Sequence, residues 1–168
     1  QSQLEAQLTQ RFGLERILWL KSGYLLGDDT DSHIDMLARF CNTETICYTS
    51  CTNRNDEHYI PLQQMENELR AFRTSHGNNY NLIPLPWPQA KYDKNHQRLP
   101  VSYANFLIIN NAVLVPTYND PADAIALDQL RSCFPKRDII GISSLPLINQ
   151  RGGLHCATMQ FPAGVLSC

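Results

Sequence analysis

The sequence predicts an α/β fold built from repeated hairpin–helix–strand units and forming part of a propeller. Three observations lead there. A 168-residue chain that is 43% hydrophobic and 18% charged has the size and mixture of one globular domain. Apolar runs with the period of strands alternate with runs of helical period, and the same order of elements recurs about 70 residues later. A third unit opens near the C-terminus without completing, which leaves open sheet edges, and radially repeated sheets remove such edges by closing a ring.

The elements follow in order. Leu4, Leu8 and Phe12 lie four apart before Gly13, the pattern of a helix with a C-terminal glycine stop. Ile17–Leu20 reads as a short buried strand, and residues 27–32 as an acidic, turn-rich loop. His33–Phe40 and Ile46–Ser50 read as two strands of a hairpin about residues 42–44. Leu62, Met65, Leu69 and Phe72 recur at three and four, an amphipathic helix ending near Gly77, and Tyr80–Ile83 supplies the next strand. Pro84–Pro100, with four prolines in its span, reads as a functional loop. A second hairpin then joins Ala104–Ile109 to Ala112–Val115 through Asn110-Asn111. Asn119 or Asp120 caps a helix with Pro121 at its first position and Ile125, Leu130 and Phe134 along its apolar side. Asp138–Ile142 is its strand, and Leu154–Phe161 opens the third unit.

Charge and cysteine content narrow the function. A net charge of −2 with 14 Lys+Arg offers no basic face for nucleic acid or an anionic membrane, while a small cationic ligand remains compatible. No run approaches the ~20 apolar residues of a membrane span, and residues 1–6 have no secretory signal pattern, so a cytoplasmic location is expected. The six cysteines are expected as reduced thiols. Cys47 and Cys51 have C-x₃-C spacing without a second Cys/His pair, which argues against closed zinc, and the absence of C-x-x-C argues against thiol redox chemistry. Cys41 and Cys47 read as small core residues. No metal and no cofactor are expected.

Two segments carry chemistry. If His33 starts a strand, period two puts His33 and Asp35 on one face, a proton-moving imidazole beside a cation-holding carboxylate. The alternative is a solvated acidic turn ahead of a strand. A calcium loop is excluded, because Phe40 stands where a bidentate Glu belongs. In the second segment, Gly152 and Gly153 would let backbone approach a ligand, and Cys156 beyond them is a nucleophile if its pKa is lowered. The alternative there is a glycine turn and a core thiol. On a strand His155 would point away from Cys156, leaving His33 as the better base.

Residues 27–40 (GDDTDSHIDMLARF), 99–106 (LPVSYANF), 112–121 (AVLVPTYNDP) and 152–160 (GGLHCATMQ), in that order, resemble the agmatine deiminase and peptidyl-arginine deiminase family of guanidine-modifying enzymes. The likeness covers nearly the whole chain and corresponds to the C-terminal half of a family member about twice as long. The resemblance implies a five-bladed α/β propeller (pentein) of ββαβ units. Residues 1–168 would be the C-terminal portion of a single deiminase catalytic domain whose N-terminal half, with further carboxylates, is absent.

The resemblance also implies roles. Cys156 would be the nucleophile, His33 the general acid/base, and Asp35 the carboxylate gripping the guanidinium, with Gly152 and Gly153 against the substrate. Ser32 departs from the family's usual Gly. The expected reaction is hydrolytic deimination, agmatine to N-carbamoylputrescine and ammonia through a covalent Cys thiouronium, as in polyamine biosynthesis. Alternatives are a peptidyl-arginine or other small guanidine substrate, or an inactive fragment acting as a binding module. The expected partners are the guanidino substrate and either a second copy or the missing half.

Overall fold

The computed structural model of the chain describes residues 1–28, 33–162 and 164–165. Helix α1 (Ser2–Phe12) ends as the glycine stop predicts, with Gly13 at φ 63°, and buries none of its residues. The first unit comprises α2 (Ile34–Leu37), β1 (Ala38–Phe40), β2 (Thr45–Thr49), α3 (Tyr59–Ala71) and β3 (Asn81–Leu85). Strand β2 pairs antiparallel with β1 and parallel with β3, giving the order β1-β2-β3. The second unit repeats this plan with β6 (Leu107–Ile108), β7 (Ala112–Thr117), α4 (Ala122–Cys133) and β8 (Asp138–Ser143) in the order β6-β7-β8. The predicted Asn110-Asn111 turn closes its hairpin, with the Ile109 N–H donating to the Ala112 carbonyl at 2.9 Å.

Period two explains the core. All five residues of β2 are buried, so both faces of the central strand are covered. Ile46 and Tyr48 face a cluster with Leu62, Met65 and Leu69 of α3. Cys47, on the other face, joins a larger cluster with Val113 and Val115 of β7 and Ala126 and Leu130 of α4. The second unit therefore packs across the back of the first sheet. Three separate sheets are present, and no closed ring of sheets occurs among the described residues.

Several local expectations are corrected. Ile17–Leu20 forms no strand, and Leu154–Phe161 is turn and irregular chain. His33–Phe40 is a single helical turn followed by a three-residue strand. Helix α3 stops at Ala71, short of Gly77, which instead occupies a tight turn at φ 81°. The Pro84–Pro100 segment holds the end of β3 and a two-stranded ribbon, β4 (Lys91–Tyr92) with β5 (Arg98–Leu99). Helix α4 begins one residue later than expected. The Asp120 carboxylate accepts the Ala122 N–H, and Asp123 reaches back to accept the Tyr118 and Asp120 N–H groups.

Candidate active site

The site is assembled where the two units meet. Helix α2 is too short to hold itself, and its position comes from a buried hydroxyl pair. Thr49 at the end of β2 and Ser102 before β6 both donate to the Met36 carbonyl, at 2.8 and 2.6 Å, and lie 2.8 Å from each other. His33 stands at the N-cap of this turn, its backbone N–H donating to Asp28. Asp35, two residues on, points toward the second unit.

The other wall is the turn after α5 (Leu145–Ile148). Arg151, in the left-handed region at φ 65°, is clamped by the β4–β5 ribbon through Asp93 at 3.1 Å and Gln97 at 2.5 Å. Gly153 is buried, and a Cβ there would lie 2.2 Å from Asn105 Oδ1. The need for glycine comes from this packed side chain. Gly152 has space, with only the Cys156 Cβ within contact at 3.4 Å.

One carboxylate oxygen collects the site. Asp35 Oδ2 lies 2.7 Å from His155 Nδ1, accepts Asn105 Nδ2 at 3.0 Å, and sits 3.5 Å from Cys156 Sγ. Asn105, fully buried, also places its Nδ2 3.3 Å from Cys156 Sγ and accepts the His155 N–H at 2.8 Å through Oδ1. Ligating atoms of His33, Asp35 and Cys156 lie within 4.8 Å of one another. The three residues singled out from sequence therefore converge, with Cys156 exposed to solvent.

They converge for a different reason from the one expected. His33 and Asp35 share a side through the start of a helical turn, whereas the strand argument assumed period two. His155 is not turned away, because residues 154–157 form a turn that brings its ring onto Asp35. His155 and Asn105 are the site residues that sequence reasoning left out. Asn105 lay inside a noted motif, but only the fold shows its contacts. Ser32 lies outside the described residues.

Electrostatics divides the roles. Burial alone would raise the Asp35 carboxyl, but hydrogen bonds from His155, Cys156 and Asn105 bring it below its ordinary value, so it is an anion at neutral pH. Burial and then the Asp35 charge push the Cys156 thiol up, against a hydrogen bond from the Gly153 N–H. The sequence reading required a lowered thiol. Without a cation beside it, Cys156 is a protonated thiol held against a carboxylate.

An anionic carboxylate, two imidazoles and an accessible thiol form a set able to bind a planar cation and attack its carbon. Comparison with known proteins bears on this. A family model for Porphyromonas-type peptidyl-arginine deiminases matches residues 1–162. The chain belongs to that family. Among its relatives, the "Putative agmatine deiminase" of Vibrio parahaemolyticus is 32% identical over 178 residues, covering 96% of this chain and 49% of that protein. The "Putative Arginine Deiminase" structure from Porphyromonas gingivalis superposes with a TM-score of 0.95 at 50% identity, over 98% of this chain and 48% of that one. Agmatine deiminase from C. jejuni, in a cysteine-to-serine form with substrate bound, gives a TM-score of 0.85 at 42% identity, over 92% and 44%. The chain thus spans about half the length of the curated relatives it matches.

Proposed function

We propose that these residues carry the nucleophilic half of a guanidine deiminase site acting on agmatine, giving N-carbamoylputrescine and ammonia. The observation that carries this reading is the gathering of Cys156, His33 and His155 around the Asp35 carboxylate. Asp35 grips the guanidinium N–H groups, and the bound cation offsets the carboxylate charge that keeps Cys156 protonated. As the cation binds, the Cys156 thiol passes its proton to the His33 imidazole, and the thiolate so formed attacks the guanidinium carbon, forming a C–S bond. A C–N bond breaks as the departing nitrogen takes a proton from an imidazole and leaves as ammonia. Water then attacks the thiouronium carbon, the imidazole accepts its proton, the C–S bond breaks, and the ureido product leaves with the thiol restored. His33 is assigned the proton transfers, and His155 orients Asp35. Neither a metal nor a cofactor enters this scheme.

We further propose that the two ββαβ units are blades of a five-bladed propeller and that further carboxylates complete the guanidinium grip. A guanidinium held by Asp35 alone keeps rotational freedom, and misplacement by about 1 Å can cost ~10²-fold in rate. The 168-residue chain is therefore expected to be inactive or nearly so by itself. The family description favours arginine in a peptide as the second reading. No helix among the described residues is long and apolar enough to cross a membrane; a cytoplasmic location is part of the proposal.

The test measures ureido product and ammonia from agmatine and from arginine peptides. One protein is this chain and the other is a family-length polypeptide containing it, each with and without Cys156→Ala. Activity of the longer protein on agmatine, lost in Cys156→Ala, is the expected result. Undiminished turnover by Cys156→Ala removes the covalent route, and preference for peptides replaces the substrate.

A further inference from the structure

A second thiol cluster lies away from Cys156, and the spacing of cysteines in the sequence concealed it. Cys47 was weighed there with Cys51, its near neighbour in sequence, but the fold gives it different partners. Arg39 of β1 is directly opposite Cys47 of β2, and Cys41 follows two residues on, its N–H donating to the Thr45 carbonyl. Period two puts Cys41 and Cys47 on the same face of the sheet. That face packs on the second unit, and α4 ends there at Cys133. Cys47 Sγ lies 2.9 Å from Cys41 Sγ and 3.6 Å from Cys133 Sγ, and all three sulfurs fall within 4.8 Å of one another.

We propose that Cys41, Cys47 and Cys133 form an all-thiolate site for one soft metal ion of the Cu(I) class. Among the described residues no histidine or carboxylate belongs to the cluster, and a donor set of three sulfurs discriminates against the hard ions that oxygen ligands bind. Cys47 is fully buried and packed among apolar side chains, while Cys41 and Cys133 are half-buried, so the sulfurs are sheltered but reachable. Bonds of ~2.3 Å place the sulfurs of a metal–thiolate set about 4 Å apart. Cys41 and Cys47 need only side-chain rotation to open that far. Three donors satisfy Cu(I), whereas a structural Zn(II) site takes four.

A disulfide is the rival use of two of these sulfurs, and the register opposes it. Cys41 and Cys47 are diagonal across the antiparallel pair, a relation in which the backbones stand about 7–8 Å apart, whereas disulfides span at most ~6.8 Å between Cα atoms. All five described cysteines are free thiols. The other compact His/carboxylate cluster, Asp56 with His58, has its imidazole occupied: Nδ1 lies 2.7 Å from Asp56 and Nε2 accepts the Leu26 N–H. In the thiol cluster the sulfurs contact one another and the Cys47 N–H reaches Cys41, leaving no imidazole or carboxylate to displace. A metal there would join strands of the first unit to helix α4 of the second, and would stabilise the fold because the unfolded chain does not gather the three sulfurs.

The experiment uses the 168-residue chain carrying Cys156→Ser, which removes the exposed thiol, reduced and kept anaerobic. Cu(I) is titrated in competition with a chromophoric Cu(I) chelator, with Zn(II) in a parallel arm. Expected are one Cu(I) per chain, ultraviolet thiolate-to-metal charge-transfer absorption and a raised Tm. Cys41→Ser and Cys133→Ser should each weaken binding by more than about 100-fold, beyond what loss of an outer-shell partner produces, without changing the metal-free circular dichroism. Should those variants misfold, alkylation mapping of the Cys156→Ser chain decides: Cu(I) should protect Cys41 and Cys133 and leave Cys51 labelling unchanged. Equal affinity in the serine variants, protection confined to Cys51 or Cys168, or failure to compete with the chelator overturns the site. Tighter retention of Zn(II) than Cu(I) overturns the choice of ion.

Discussion

Asn105 has the most demanding position of any single side chain in the site. It is fully buried, donates to Asp35, lies against Cys156 and receives the His155 N–H, while Gly153 packs on its carbonyl end. Asn105→Ala leaves a buried N–H and part of a carboxylate without partners, and should cost about 1–3 kcal/mol by urea denaturation. In the family-length protein it should also cost ~10²-fold in kcat/KM, since thiol and carboxylate lose their common spacer. Wild-type kinetics in this variant would mean that Asn105 only fills space. Asp35 supplies a pH test. Its folded pKa is below the unfolded value of about 3.9, so its stabilising contribution is present above that value and is lost as pH falls through the folded one. Asp35→Asn should flatten the acid limb of a stability profile measured from about pH 6 to pH 2, and an unchanged limb would assign that dependence to other carboxylates, such as Asp56. Cys156 has the opposite sign. Its raised pKa favours the folded state while the thiol is protonated, and that contribution is lost as pH rises through the folded value.

At the scale of elements, a four-residue helix is positioned by hydroxyls that belong to two other segments. Ser102 donates to the Met36 carbonyl and accepts the Ala104 N–H through its hydroxyl, and Tyr118 donates to its carbonyl. Ser102→Ala should therefore lower stability by about 1–3 kcal/mol and lower kcat by displacing Asp35, with Cys156 alkylation unchanged as a control for the opposite wall. Equal losses at both walls would indicate general unfolding. These dependencies explain what could be read from sequence. The hairpin about Asn110-Asn111 and the helix around Leu62–Leu69 were legible, because turn chemistry and apolar period are local properties; the helix after Pro121 was legible too, but its buried side is Ala122, Ala126 and Leu130, while Ile125 is 53% exposed. The segment His33–Phe40 was not, because its helical first turn is held by Thr49 and Ser102, which lie 13 and 66 positions from the carbonyl they share. Leu154–Phe161 has strand-like composition, but a strand needs a neighbour to accept its hydrogen bonds, and none pairs with it among the described residues. His33, Asp35 and Cys156 could be nominated from residue type and family likeness. Asn105 and His155 could not, since their roles exist only once the two units pack together.

For the whole molecule, the open question of physical consequence is what its sheet edges do. Four edge strands bound the two three-stranded sheets, and three of them are poor templates for pairing. Strand β6 has two residues, β1 has three, and β3 carries Pro84, which offers no N–H. Strand β8 differs, with six residues and no proline, and it lies at the end of the order β6-β7-β8. Ile140 at its middle is 44% exposed. Two copies pairing antiparallel along β8 would satisfy those edge groups and bury Ile140 against its equivalent, an isologous arrangement that closes at a dimer. The 168-residue chain is accordingly expected to show concentration-dependent association in sedimentation equilibrium. Ile140→Lys places a charge on the edge at an exposed position, so it should shift the distribution to monomer while changing unfolding free energy by no more than about 0.5 kcal/mol. Association that survives Ile140→Lys unchanged would transfer the contact elsewhere, with the unburied stripe of Leu4 and Phe12 on α1 as the next surface to substitute.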